Sequence, residues 1–315
     1  NTFQVLKTRI DQFGVASPNI SLQENSGRII LELPGVEDPT RVRKLLQQTA
    51  QLEFWDCYDN REVVNFMVQA FENAKTLNAI KKVEDTTAAV VSADSAAQPL
   101  SLIDSLSMAA DKDSTGKKDS LDKTVSPLAR LLELRVSREG EVAEGPIVGL
   151  AMGNDTAAIN RILANQAVRS AFPPDLKLLW GIKPFMKDSR VYAMYAIKAN
   201  PSTPEAPLTG DVIKDASQGH DPVTGTFTVN MRMNSMGASK WEKLTEAAVT
   251  GNSINGKDFK RSVAIVLDSR VISAPTVQQK ISGGSSEING LDDLEEALDL
   301  SNILKSGKLE ARTVV

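Results

Sequence analysis

The chain has 315 residues, 41% of them hydrophobic, with a formal net charge of −4 and a pI near 5.3. Typical domains hold roughly 100 to 200 residues, so the length predicts two or three structural units, each with enough apolar material for a core. The acidic balance argues against nucleic acid as a partner, because phosphate-backbone binding usually leaves a basic face, and one histidine with one cysteine are too few ligands for a typical zinc site.

Phe3, Leu6, Ile10 and Phe13 recur at helical spacing, and Gly14 ends that helix. Asn19 to Leu22 and Arg28 to Leu33 read as strands around a turn over 24–27, with Pro34-Gly35 as the stop. Asp38 as N-cap and Pro39 at the first helical position open a helix carrying Val42, Leu45, Leu46 and Thr49 on one face. Leu52 to Tyr58 is a strand, in which the lone Cys57 is predicted to pack as a small hydrophobe.

A helix over Val63 to Ile80 places Val64, Met67, Val68, Phe71 and Leu77 on a broad apolar face. The stretch 84–127 is rich in Ala, Ser, Asp and Lys and nearly free of aromatics, a composition that predicts a mobile low-complexity loop. Asp111, Asp113 and Asp122 within it give it a faint likeness to a calcium loop. Thr115 at the fifth position, Asp122 in place of the bidentate Glu, and the repulsion of Lys117-Lys118 favour a solvated charge run. Gly116-Lys117-Lys118 lacks the upstream glycine and the following Ser or Thr of a phosphate-binding loop.

Structure is predicted to resume with a strand at Ile147 to Met152, a helix capped by Asn154 or Asp155 and running through Ile159, Ile162, Leu163 and Val168, and strands over 176–182 and 191–197. Phe227 to Met233 alternates as a strand, followed by a helix from Asn234. Ala264 to Leu267 and Val271 to Ala274 form a hairpin around Asp268-Ser269-Arg270. The last helix starts at an acidic cluster, with Asp292 and Glu295 as a capping box, and closes at Lys305 and Gly307. These acidic residues are explained by the helix start and need no catalytic role. His220, in QGHDPVTG, is predicted to be an exposed loop residue.

Three stretches carry a family pattern. AIVLDSRVISAP at 264–275 is followed by Gly283-Gly284, an Ile288-Asn289-Gly290 turn and a helix ending LKSGKL; upstream stand Leu208-Thr209-Gly210 and Asn234, Gly237, Ala238, Trp241, Leu244 and Thr245. The N-terminus reads RIDQFGV, RIILELPGVEDP and TAQLEF. This order resembles the periplasmic (P1) region of the SecD/SecDF family, accessory membrane proteins of the bacterial Sec export machinery. Gly14, Pro34, Gly35, Leu208, Gly210, Gly237, Asp268, Pro275 and Gly290 are the structural signature residues that match. The departures are Ser269 where the family has Gly, which predicts a looser turn, Trp241 where it has Phe, and no Pro after Leu309.

The resemblance implies an α+β fold. A discontinuous base (1–58 and 309–315) of small antiparallel sheet with helices holds an inserted head (205–308), with a helical connection at 59–83 and an extra, family-atypical α+β insertion at 128–204. It also implies no cofactor, no enzymatic activity, and anchoring on the periplasmic side of the inner membrane by helices outside this sequence. In agreement, no apolar run here approaches the ~18 to 20 residues of a membrane span. The implied partners are an unfolded preprotein and, through those membrane parts, a SecY-type channel and SecF. Asp59, Asn60, Gly307 and Lys308 stand at the two crossings between base and head as hinge candidates, and Met231, Met233 and Met236 are candidates for an adaptable client-binding groove. Two other readings act through 60–204: a hydrolase-like enzyme, disfavoured by scarce His and Cys and no nucleophile motif, and a passive envelope scaffold.

Overall fold

Strands form where β-branched and aromatic residues alternate with polar ones, and helices where caps and a 3.6-residue apolar period coincide. A computed structural model describes residues 3, 6, 7, 10, 18–23, 28–35, 43, 46, 51–88, 126–137, 139–203, 205–222, 225–291 and 293–306. In chain order the first elements are β1 (Asn19–Gln23), β2 (Arg28–Glu32), β3 (Leu52–Asp56), α1 (Asn60–Ala88), α2 (Pro127–Leu131), β4 (Glu133–Leu134) and β5 (Ile147–Met152). Then come α3 (Thr156–Leu163), α4 (Gln166–Arg169), β6 (Leu176–Pro184), β7 (Val191–Lys198), β8 (Leu208–Thr209), β9 (Ile213–His220) and β10 (Phe227–Met233). The last are α5 (Ser235–Val249), β11 (Ser253–Ile254), β12 (Lys257–Asp258), β13 (Val263–Leu267), β14 (Arg270–Ser273), β15 (Ser285–Leu291) and α6 (Leu294–Ser306). The fold is α+β.

The chain divides into two units: 1–64 with 134–153 and 173–315, and 65–133 with 154–172. In the first, β1 and β2 pair antiparallel, and their apolar residues Ile20, Ile29 and Leu31 pack on the buried helical residues Leu6, Ile10 and Leu46. Gly35 follows in a turn at φ 77°. Gly14, the Asp38-Pro39 helix start and the closing segment 309–315 lie outside the described residues.

The central sheet has eight strands in the order β4-β5-β7-β6-β14-β13-β3-β8. Its strands come from segments that the predicted boundaries assign to different subdomains. β3, expected in the base, pairs antiparallel with β13, Phe54 opposite Ile265 and Trp55 opposite Ala264. The reason is burial: Leu52, Glu53, Phe54 and Trp55 are all buried, so β3 needs cover on both faces. Strands of the 128–204 segment do not form a separate sheet. β6 joins the hairpin strand β14 in parallel at Val271 and Gly181, covering what would otherwise be an open edge.

One face of β3 and β13 contributes Leu52, Phe54, Val263 and Ile265 to the largest core, shared with Val229, Met231, Trp241, Leu244, Leu300 and Leu304. The opposite face contributes Trp55, Cys57, Ala264 and Val266, packed with Leu179, Ile197 and Val271. Phe54 meets Trp241 edge to face at 5.3 Å between ring centres. The larger ring of Trp241 fills the core, but its indole N–H is buried without an acceptor. α5 is capped by Asn234, whose side chain accepts from the Gly237 N–H at 2.8 Å. Gly237 itself lies so close to the 3-10 turn over Gly210–Val212 that an added Cβ would stand 2.6 Å from Val212 Cβ.

The hairpin turn is tight, against the looser turn predicted from Ser269. Leu267 pairs with Arg270 directly, and Asp268 and Ser269 take φ values of 49° and 66°. Both central residues in the left-handed region is the two-residue turn whose twist suits a hairpin. Asp268 also exchanges two hydrogen bonds with Gln51: its carboxylate accepts from the Gln51 N–H at 3.0 Å, and its N–H donates to the Gln51 carbonyl at 3.1 Å. At α6 the side chain of Asp293 accepts from the Glu296 N–H at 2.7 Å, while Asp292 lies outside the described residues. Leu294, predicted in the apolar stripe, is exposed, and the buried face is Ala297, Leu300, Ser301, Ile303 and Leu304.

α1 runs five residues further into the predicted loop than composition suggests, to Ala88. Asp111, Asp113 and Asp122 lie outside the described residues. Val68 is exposed, and the buried stripe is Val63, Met67, Ala70 and Ala74. In the second unit the helix predicted through Val168 is broken in two, because Asn165 turns extended and its side chain caps α4 through the Ala167 N–H. Asn73 of α1 donates to the Ala167 carbonyl at 2.8 Å.

Candidate binding groove on the three-stranded sheet

The second sheet of the first unit has the order β15-β10-β9, all antiparallel. Alternation in β10 sends Val229, Met231 and Met233 into the core and leaves Asn230 and Arg232 exposed on the other face. Register then assembles what sequence separates. Asn230 stands between Ser217 of β9 and Glu287 of β15, and Arg232 stands between Asp215 and Ser285. The result is two rows of three polar side chains, about 4.8 Å between strands and about 6.8 Å between rows.

This face carries a largely open depression of about 670 Å³, bordered also by Met231, Ile281 and Ser286. Arg232 and Asp215 form an exposed ion pair at 3.3 Å, and the Thr228 hydroxyl donates to the Glu287 carboxylate at 3.3 Å. Gly219 makes room for this arrangement: a Cβ there would sit 2.7 Å from the Asn230 amide nitrogen. The floor therefore offers hydroxyls and an amide that both donate and accept, and two carboxylates against one guanidinium.

None of these six residues was a predicted site residue. The available signal was the polar half of the β10 alternation, whose apolar half drew attention to the methionines. Met231 and Met233 are only 3% and 5% exposed and belong to the core, Met231 also bordering the groove; Met236 is exposed at the start of α5. His220 is exposed as predicted but ends strand β9 instead of lying in a loop; it pairs with Phe227 of β10, whose ring it meets edge to face. Cys57 is fully buried, and burial pushes its thiol far above the ordinary range, which leaves it unreactive. No group of three or more metal-ligating side chains occurs among the described residues.

The hinge candidates Asp59 and Asn60 form a fixed polar node. Asp59 caps α1, accepting from the Arg61 N–H, while the Glu62 side chain accepts from the Asp59 N–H, a capping box. Asp59 also accepts from the Gly145 N–H at 2.9 Å, and the Asn60 amide donates to the Arg135 and Ala143 carbonyls. Both residues are almost fully buried, so backbone rotation here would break all of these bonds. Beside them Arg261 bridges Glu62 at 2.6 Å and Asp56 at 3.5 Å. Burial raises the Asp56 carboxyl above its usual range, with Arg261 and Lys198 pulling the other way. Gly307 and Lys308 lie outside the described residues.

Two family models match the chain: SecDF, P1 head subdomain, over residues 190–311, and Protein translocase subunit SecDF, P1 domain, N-terminal, over residues 1–59. The head match reaches back into β7, where no motif was predicted. The chain is 36% identical over 310 residues to the protein translocase subunit SecD of Rhodothermus marinus, an alignment covering 98% of this chain and 44% of the relative. It is 25% identical over 329 residues to that of Anaeromyxobacter dehalogenans, covering 99% and 43%. The first alignment spans the middle segment too, so residues 60–204 have counterparts in that relative. The chain spans less than half the length of these relatives. Among solved structures, one described as "Structure and function of a membrane component SecDF that enhances protein export" aligns with 99% of this chain and 87% of its own at 22% identity, TM-score 0.44. A "Crystal structure of SecDF in Super-membrane-facing form" aligns at 22% identity, TM-score 0.46, over 99% of this chain and 26% of its own. No helix among the described residues is long and apolar enough to cross a membrane.

Proposed function

This chain belongs to the SecD/SecDF P1 family, and from that premise we propose that it is the periplasmic part of a proton-driven export accessory factor. In this reading it engages preprotein emerging from a SecY-type channel and aids its onward movement by head and base motion, together with SecF. Membrane segments outside this sequence hold it on the periplasmic side and carry the protons. The buried bonds of Asp59 and Asn60, which hold the start of α1 to Gly145, Arg135 and Ala143, argue against these two residues as the pivot of that motion.

The observation that supports client contact is the polar depression on β9, β10 and β15, which lies inside the segment matched by the P1 head model. The test places a photo-crosslinking amino acid at Asn230, and as a control at the exposed Met186, in the full-length protein of cells holding a stalled export substrate. Asn230 is expected to label the substrate well above Met186. Equal labelling at both positions, or none, would remove the groove from the proposal.

A further inference from the structure

The groove's floor is of an unusual kind for capture of unfolded chains. An apolar client handle would need apolar lining, and of the nine residues that line the cavity only Met231 and Ile281 are apolar, Met231 being almost fully buried. Sequence-tolerant apolar binding usually relies on flexible hydrophobic side chains; Met231 and Met233 are turned into the core, and the exposed Met236 does not line the groove.

Geometry suggests a different handle. An extended polypeptide advances about 3.3 Å per residue, so its equivalent backbone groups recur every about 6.6 Å, close to the spacing between the two rows. A chain lying along the strands thus meets each row in the same phase, with its N–H and C=O groups over Ser and Asn side chains able to answer either. Charge adds a preference. Asp215 and Glu287 outweigh Arg232 by one negative charge, and Arg232 is already paired with Asp215 at 3.3 Å.

Resting on the client-capture reading above, we propose that this groove binds extended, neutral to basic polypeptide segments rich in small polar residues, and that it holds them by their backbone rather than by apolar side chains. Client choice then depends on local extension and charge, with little demand on side-chain identity.

Fluorescence anisotropy with the purified 315-residue chain tests this. The probe is a labelled decapeptide of Ser, Asn, Thr and Gly with one Lys; the comparisons are its analogue with alternate amides N-methylated, its Lys→Asp analogue, and an amphipathic Leu/Lys decapeptide. Losing a hydrogen bond weakens binding about 3- to 10-fold. The N-methylated peptide is therefore expected to bind at least about 10-fold more weakly, and Asn230→Ala to lower affinity for the parent peptide about 3- to 10-fold. The Asp analogue should bind more weakly than the parent, and the Leu/Lys peptide no more tightly. Asn230 is exposed, so circular dichroism of the variant should match the parent and exclude misfolding. If the Leu/Lys peptide binds more tightly and N-methylation has no effect, backbone recognition is wrong while client capture stands. If neither the peptides nor an intact unfolded preprotein binds, client capture itself fails and this face is an ordinary solvated sheet surface.

Discussion

Ser269→Gly should stabilise this protein, because Ser269 occupies the left-handed region at φ 66° in the β13–β14 turn. An L residue there costs roughly 1–2 kcal/mol. Glycine's greater loss of chain freedom takes back roughly 0.5–1 kcal/mol, leaving a gain of about 0.5–1 kcal/mol. For a unit of this size that corresponds to a rise in Tm of about 1–3 °C. Urea unfolding followed by tryptophan fluorescence reads the change, since Trp55 and Trp241 are buried in cores that β13 completes. Amide exchange at Leu267 and Arg270, the pair that closes the turn, localises it. Ser269→Ala is the control: it removes the hydroxyl without relieving the backbone and should bring no gain. A fall in the midpoint for Ser269→Gly, or an equal gain for Ser269→Ala, would refute the left-handed assignment. Asp268→Gly should behave oppositely although its φ is also positive, because it removes the acceptor for the Gln51 N–H; a loss of about 1 kcal/mol is expected.

Gly237→Ala should destabilise by about 1–3 kcal/mol through overpacking against Val212, where an exposed helix position would gain about 1 kcal/mol; urea midpoints separate the two. Arg261→Ala should cost about 3 kcal/mol, because Glu62 and Asp56 lose their buried partner; an effect under 1 kcal/mol in the same assay would mean that the node is not rigid. Asp56→Asn tests linkage. Its carboxyl is raised from 3.8 by burial, so the stability it contributes is fully present below the unfolded value and is lost as pH rises through the raised folded value. The variant should therefore gain on the parent from about pH 4 towards neutrality, as read by thermal unfolding across pH. A relative loss over that range would show that attraction to Arg261 outweighs burial.

The sequence by itself determined the local elements and the family. Two-residue alternation gave β10, the AIVLDSRVISAP run gave the hairpin, and Asn234 gave the start of α5, because each depends on neighbours a few residues apart. At α6 the sequence does not single out Asp293, the residue whose side chain caps the helix, from its chemically equivalent neighbour. Tertiary structure alone decided which sheet each strand joins. β3 reads like a base strand until its burial on both faces places it beside β13, and β6 reads like part of a separate insertion until it covers the edge of β14. The groove belongs to the same class of fact. Periodicity tells which residues share a face of one strand, but the pairing of Ser217, Asn230 and Glu287 is a matter of register between strands far apart in the chain, set by how all their inward faces pack into one core.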